Sequence, residues 1–159
     1  MSRFLNPRLE RILPYTPGEQ PKVPGLIKLN TNENPYPPAP GVLDVINRAE
    51  VEKLRLYSDP EASSLTAAIA AYYGVTQKQV IVGNGSDEIL AFAFAAFFDP
   101  KEKLMFPDIT YGFYSVYADL FSLTPEIVPL RADFTIDPSD YKGGNVVIAN
   151  PNAPTGLAL

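Results

Sequence analysis

The sequence predicts an α/β fold in which a mostly parallel sheet is flanked by helices and preceded by a Pro-rich arm. Three observations predict it. Short, continuous apolar runs alternate with helical segments, the pattern of a parallel or mixed sheet covered on both faces. A Gly-rich turn joins one such run directly to a helix at residues 80–88. Nine of the 17 prolines fall within residues 1–40.

The elements follow in order. Residues 1–40 contain Pro14-Tyr15-Thr16-Pro17-Gly18 and Pro35-Tyr36-Pro37-Pro38-Ala39-Pro40. Proline fixes φ and removes a donor, so this stretch reads as an extended arm or a flexible linker, not as packed helix or central strand. From Gly41, the apolar residues Val42, Val45, Ile46 and Ala49 recur at helical spacing and predict one helix ending near Leu56. Asp59-Pro60-Glu61 reads as a helix start, with Leu65, Ala68, Ile69 and Tyr72 on one face and Gly74 as the stop. Val80-Ile81-Val82 reads as a short buried strand. Asp87 to Phe98 is apolar enough to predict a helix buried on most sides. Leu104-Met105-Phe106 is the next strand. Gly112 to Phe121 is a helix with Phe113, Val116, Tyr117 and Leu120 on one side. Ile127-Val128 and Asn145 to Ala149 complete the strands.

Composition narrows the chemistry. The 159 residues are 46% hydrophobic, enough to build a core, with a formal net charge of −5. No cluster of Lys and Arg provides the footprint of a nucleic-acid partner. The chain has no Cys and no His, which removes thiol catalysis, Ser-His-Asp chemistry and nearly all zinc sites. No apolar run has the length of a membrane span, and Met1 to Glu10 lacks signal-peptide character. The expectation is a cytoplasmic protein with no metal, membrane or nucleic-acid partner. Its catalysis would rest on carboxylates, Lys, Tyr, Ser or a borrowed cofactor.

Gly83-Asn84-Gly85-Ser86-Asp87-Glu88 is the most informative motif. The first amides of a helix lack internal partners and carry the positive end of its dipole, so they attract an anion, and Ser86 adds a hydroxyl. Gly83 and Gly85 permit close backbone approach. A phosphate suits the site, although a plain helix start capped by Ser86 or Asp87 reads equally well. Glu88 replaces the third small residue of a dinucleotide fingerprint, and no Gly-Lys-Ser/Thr of a P-loop occurs. Tyr111, just before Gly112, sits at a carboxyl strand end, where open α/β sheets bind ligands. It is placed to lay its ring on a flat ligand or to pack into the core. Asn150-Pro151-Asn152-Ala153-Pro154-Thr155-Gly156 is either a second ligand edge or a simple Pro/Gly turn.

Taken in order, these motifs resemble the class I/II aminotransferases, the fold-type I family that uses pyridoxal 5′-phosphate, and within it the histidinol-phosphate subgroup. The likeness is carried by Leu29-Asn30-Thr31-Asn32-Glu33-Asn34-Pro35, Tyr57-Ser58-Asp59-Pro60, Gly83 to Glu88, Thr110-Tyr111-Gly112-Phe113-Tyr114 and Pro151 to Gly156. It implies the large-domain fold of that family, here truncated. Residues 1–40 would be the arm, 41–56 a helix of the small domain, and 57–159 the first half of the cofactor domain. By the same resemblance, Gly85, Ser86 and Asp87 bind the cofactor phosphate, and Tyr111 stacks on its ring. Tyr57 reaches the partner subunit's cofactor in a homodimer, and Tyr15 contacts substrate. Ala153 stands directly before Pro154, which leaves Asn152 or another group to reach the cofactor's ring oxygen. The implied substrates are small amino and oxo acids, with transfer from histidinol phosphate to 2-oxoglutarate as the reaction. Another class I/II transaminase, or a non-catalytic phosphate-binding module, are the alternatives. The family's catalytic Lys is expected beyond Leu159, and none of the seven Lys residues of the chain is assigned that role.

Overall fold

Lys103–Pro107 (β1) is the strand on which the sheet is built. A computed structural model describes Asn6, Leu9, Ile12, Gly18, Glu19 and residues 21–159. The chain divides into two compact units, one centred on Asn84–Leu159 and the other Pro17–Gly83.

In the first unit, β1 pairs in parallel with Thr124–Val128 (β2) on one side and Asn145–Val146 (β3) on the other, giving the order β2-β1-β3. Lys103 stands opposite Thr124 and Pro107 opposite Val128, while Leu104 stands opposite Asn145. Leu104, Met105, Phe106 and Pro107 are all buried. A strand buried on both faces needs apolar side chains at successive positions, which is why this run does not alternate with polar residues. The parallel sheet expected from the sequence is thus present, although the last strand is shorter than the expected Asn145 to Ala149. One more bond, from the Val147 N–H to the Met105 carbonyl, extends it. Gly144 leads into β3 against β1, where a Cβ would lie 2.6 Å from the Lys103 carbonyl oxygen.

Two helices cover the sheet, Ser86–Phe97 (here α4) and Phe113–Phe121 (α5). Phe94 of α4 is 1% exposed and sits among Phe98, Tyr117, Phe121 and Tyr114, with ring centroids 4.4–6.5 Å away. Leu90, Ala91 and Phe98 share its face at three- and four-residue spacing. The expectation that α4 is buried on most sides is corrected: Phe92 and Phe97 are exposed, because only one face of the helix meets the core. On α5 the buried stripe is Tyr114, Tyr117 and Ala118, one position round from the expected Phe113, Val116, Tyr117 and Leu120. Both stripes have helical spacing and share Tyr117, and the expected Phe113 also packs partly buried against the core, while Leu120 is exposed.

The second unit departs further from expectation. Residues 41–56 form two short helices, Gly41–Val45 (α1) and Arg48–Lys53 (α2), not one. Asn47 interrupts them in extended conformation, and its side chain caps α2 by accepting from the Glu50 N–H at 3.2 Å. Asp59 accepts from the Glu61 and Ser63 amides, so it caps a turn, and Ser63–Tyr73 (α3) starts only after Ala62. Gly74 ends α3 with φ of 69°, as its sequence position predicts. The buried positions of α3 are Thr66 and Ala70, whereas Leu65 and Tyr72 are exposed. The Thr66 hydroxyl donates within the helix and accepts from the Gln77 amide at 2.8 Å, a polar anchor that apolar periodicity misses. Val80-Ile81-Val82 is not a strand. It has no sheet partner among the described residues, a strand exists only through such pairing, and Ile81 is exposed.

The Gly144 contact gives a direct test. Gly144→Ala is expected to cost about 1–3 kcal/mol in urea unfolding, because the strand must move off β1. Gly112→Ala, where a Cβ meets nothing within 4 Å and φ is −61°, is expected to be neutral or slightly stabilising. Equal losses at both positions would contradict the close β3–β1 approach.

Candidate functional site

Parallel strands release their chain at one edge. β1 ends at Pro107 and feeds the loop through Tyr111 into α5, and the segment after β3 leads to the turn at 150–156. The amino end of α4 lies beside that loop, joined to it through Asp87.

Gly85 caps α4 with φ of 85°, a left-handed conformation natural to glycine, and a Cβ there would meet nothing within 4 Å. No side chain caps the helix. Ser86 is therefore not the N-cap but the first helical residue, and it is exposed together with Asp87. Two carboxylates occupy this first turn, and each is turned to a protein donor. The Asn84 N–H donates to Glu88 at 2.7 Å, and the Tyr111 hydroxyl donates to Asp87 Oδ1 at 2.7 Å. The Asp87 carbonyl in turn accepts from the Tyr117 hydroxyl at 2.7 Å.

Tyr111 is half-buried. Its ring stands edge-on to Tyr114 at 5.6 Å and 86°, and stacked with Phe113 at 6.2 Å and 22°. Behind the loop, Asn152 is 1% exposed. Its amide nitrogen donates to the Ile109 carbonyl at 2.9 Å and to Thr155 Oγ1 at 3.3 Å, and its oxygen accepts from the Thr110 hydroxyl at 2.8 Å. The turn itself is closed by the Asn152 N–H on the Leu157 carbonyl and the Gly156 N–H on the Asn152 carbonyl. Gly85, Ser86, Asp87, Tyr111 and Asn152 are thus brought to one edge of one unit. Tyr57 lies in the other unit and is fully exposed. Tyr15 lies outside the described residues. The sequence places Thr110 in a motif and Tyr117 on a helix face, but it does not show that their hydroxyls bond Asn152 and the Asp87 carbonyl. Thr110 lies within the motif, and Tyr117 follows its last residue, Tyr114, by one helical turn, which is the sequence signal for them.

The donor set suits a phosphate monoester carried on a flat ring. It offers uncapped helix amides, an exposed Ser hydroxyl and open space at Gly85, next to an aromatic ring held in place. Among the described residues no group of acidic side chains is arranged to hold a metal ion, and no helix is long and apolar enough to cross a membrane.

The sequence profile of the family described as Aminotransferase class I and II matches residues 24–159, and the chain belongs to that family. Its members are pyridoxal 5′-phosphate enzymes. The histidinol-phosphate aminotransferase of Clostridium acetobutylicum is 54% identical over 157 residues, covering 98% of this chain and 45% of that protein. The protein of the same name from Acetobacter pasteurianus is 55% identical over 161 residues, with 100% and 45% covered. The chain therefore spans under half the length of these curated relatives. A crystal structure from Erwinia carotovora atroseptica, provisionally named as the same enzyme, superposes with a TM-score of 0.72 at 27% identity, over 82% of this chain and 40% of that one.

The buried hydroxyl behind Asp87 yields a pH prediction. Burial, followed by the charge and hydrogen bonding of Asp87, pushes the Tyr117 phenol up to about 12. An unfolded Tyr loses its proton near pH 10, so the folded state holds it more tightly. The stabilisation is complete below about pH 10 and is lost as pH rises toward about 12. Burial also raises Tyr114 and Tyr141, so ultraviolet titration should show several late tyrosines, one of which, titrating toward about 12, is removed by Tyr117→Phe. Titration of every tyrosine near pH 10 in the folded chain would refute the buried hydroxyl.

Proposed function

We propose that the chain is the cofactor-phosphate half of a pyridoxal-phosphate-dependent aminotransferase. In this reading the whole protein transfers the amino group of histidinol phosphate to 2-oxoglutarate, giving imidazole-acetol phosphate and glutamate in histidine biosynthesis. The observation that carries the proposal is the uncapped amino end of α4 tied through Asp87 to the ring of Tyr111. The names of the relatives at 54% and 55% identity support the substrate.

Each residue then has a task. The amides of Gly85, Ser86 and Asp87 and the Ser86 hydroxyl hold the phosphate dianion, which the helix dipole favours. Tyr111 lies against the cofactor ring and excludes water from that face. The Asp87 carboxylate is spent on the Tyr111 hydroxyl, which keeps its charge engaged beside the phosphate. When bound, the cofactor supplies the electron sink and carries the amino group between the two substrates. The Lys that moves the proton is proposed to lie in the remaining chain of the whole protein, as are the groups that grip the substrate. Tyr57 is proposed to reach a second subunit's cofactor, making the working enzyme a homodimer, and Tyr15 to contact substrate. A cytoplasmic location goes with this reading.

The full gene product, loaded with pyridoxal 5′-phosphate, should form glutamate from 2-oxoglutarate only when histidinol phosphate is present. Ser86→Ala should raise the Kd for the cofactor about tenfold, the loss of one hydrogen bond to a charged oxygen. The 159-residue chain alone should show no transamination. Glutamate formation with an aromatic amino acid or aspartate but not with histidinol phosphate would replace the substrate. No transamination with any donor would remove the enzyme reading.

A further inference from the structure

Asn152 holds a different place from the one its motif suggests. It is 1% exposed, and its side chain has two N–H donors and one carbonyl. Both donors are used, on the Ile109 carbonyl and Thr155 Oγ1, and the carbonyl oxygen receives the Thr110 hydroxyl. No amide hydrogen is left for a ligand. The two stronger partners immediately precede Tyr111 in the chain, 42 and 43 residues away from Asn152. Tyr111 is then held at its far end by Asp87. The ring is fixed at both ends, by the turn after β3 and by the amino end of α4.

We propose that Asn152 is a positioning residue: it clamps Ile109 and Thr110 and so fixes the Tyr111 ring beside the anion-binding turn. This rests on the proposed function for its ligand, a phosphate carried on a flat heteroaromatic ring, but the clamp itself exists without ligand. Its physical basis is the cost of leaving a buried carbonyl and hydroxyl unpaired. Truncating Asn152 releases the Ile109 carbonyl and the Thr110 hydroxyl together, and the loop must move to reach water. The phosphate-binding amides belong to α4 and do not depend on the clamp. Asn152 therefore separates the two halves of the site: ring recognition should need it, and phosphate recognition should not.

The test uses the 159-residue chain, its Asn152→Ala and Thr110→Val variants, and two probes. These are inorganic phosphate and pyridoxine 5′-phosphate, which lacks the aldehyde and cannot bond to surface lysines. Without ligand, NMR should show cross-relaxation between the Tyr111 ring and the Asp87 side chain in the parent chain, and its loss in Asn152→Ala. With ligand, Asn152→Ala should weaken pyridoxine 5′-phosphate about tenfold and leave inorganic phosphate within about twofold. Thr110→Val, which removes one bond of the clamp and keeps the side-chain shape, should shift both readouts in the same direction by less. Should Asn152→Ala fail to fold, Thr110→Val decides alone.

Retention of the Tyr111–Asp87 signal in both variants would overturn the proposal. So would weakened ring binding in Asn152→Ala with Thr110→Val unchanged, since that pattern means Asn152 touches the ligand itself. Equal losses for both probes would reduce Asn152 to a general fold residue. A parent chain that binds neither probe would defeat the proposed function, while the ligand-free signal would still decide the clamp.

Discussion

The parallel pairing of β1 on both sides is the constraint from which the rest of the first unit follows. Parallel neighbours cannot be joined by a tight hairpin, so each connection must cross over, and α5 makes the crossover from β1 to β2. A strand hydrogen-bonded on both edges and buried on both faces must be apolar throughout, as Leu104, Met105 and Phe106 are. All three strands run the same way, so their outgoing segments collect at one edge. Lys103 and Glu126 add an ion pair at 2.8 Å at the opposite, incoming end. This exposed pair contributes little to stability, and the buried strand dominates.

The same pairing explains why a site can form from residues that are far apart in sequence. Asp87 opens α4, Tyr111 follows β1, and Asn152 follows β3. Two short bonds and one buried amide join them. The aromatic cluster around Phe94 fixes α4 against α5, which keeps Tyr117 under the Asp87 carbonyl. Packing and polar contacts are therefore coupled: a shift of α4 in the core would also move the amides that we propose hold phosphate. The acidic first turn fits this arrangement because both carboxylates face protein donors.

The sequence made the sheet legible through Leu104-Met105-Phe106, and the helices through the apolar runs of 86–97 and 113–121. It also made the Gly-Ser-Asp turn and the Tyr111 edge legible, because glycine at a helix start and an aromatic at a strand end carry a specific physical meaning. What it hid has specific causes. Val80 to Val82 looks like a strand by composition, but pairing is a tertiary property that composition does not report. The split at Asn47 was encoded by a capping residue that apolar periodicity outweighed. The face of α5 was ambiguous because 113-116-117-120 and 114-117-118-121 both repeat at helical spacing. Asn152 stands in a turn that reads equally as a ligand edge or a simple Pro/Gly turn, and local sequence does not report that the residue is 1% exposed. Its burial depends on Thr110 and Ile109, more than forty residues away.

In the proposed function, one ligand spans the amino end of α4 and the ring of Tyr111. A crystal structure of the chain with pyridoxine 5′-phosphate tests it most directly. The phosphate is expected on the amides of Gly85, Ser86 and Asp87, with the ring lying along Tyr111 and Asn152 still bonded to Ile109 and Thr110. A phosphate bound elsewhere, or a ring turned away from Tyr111, would contradict it.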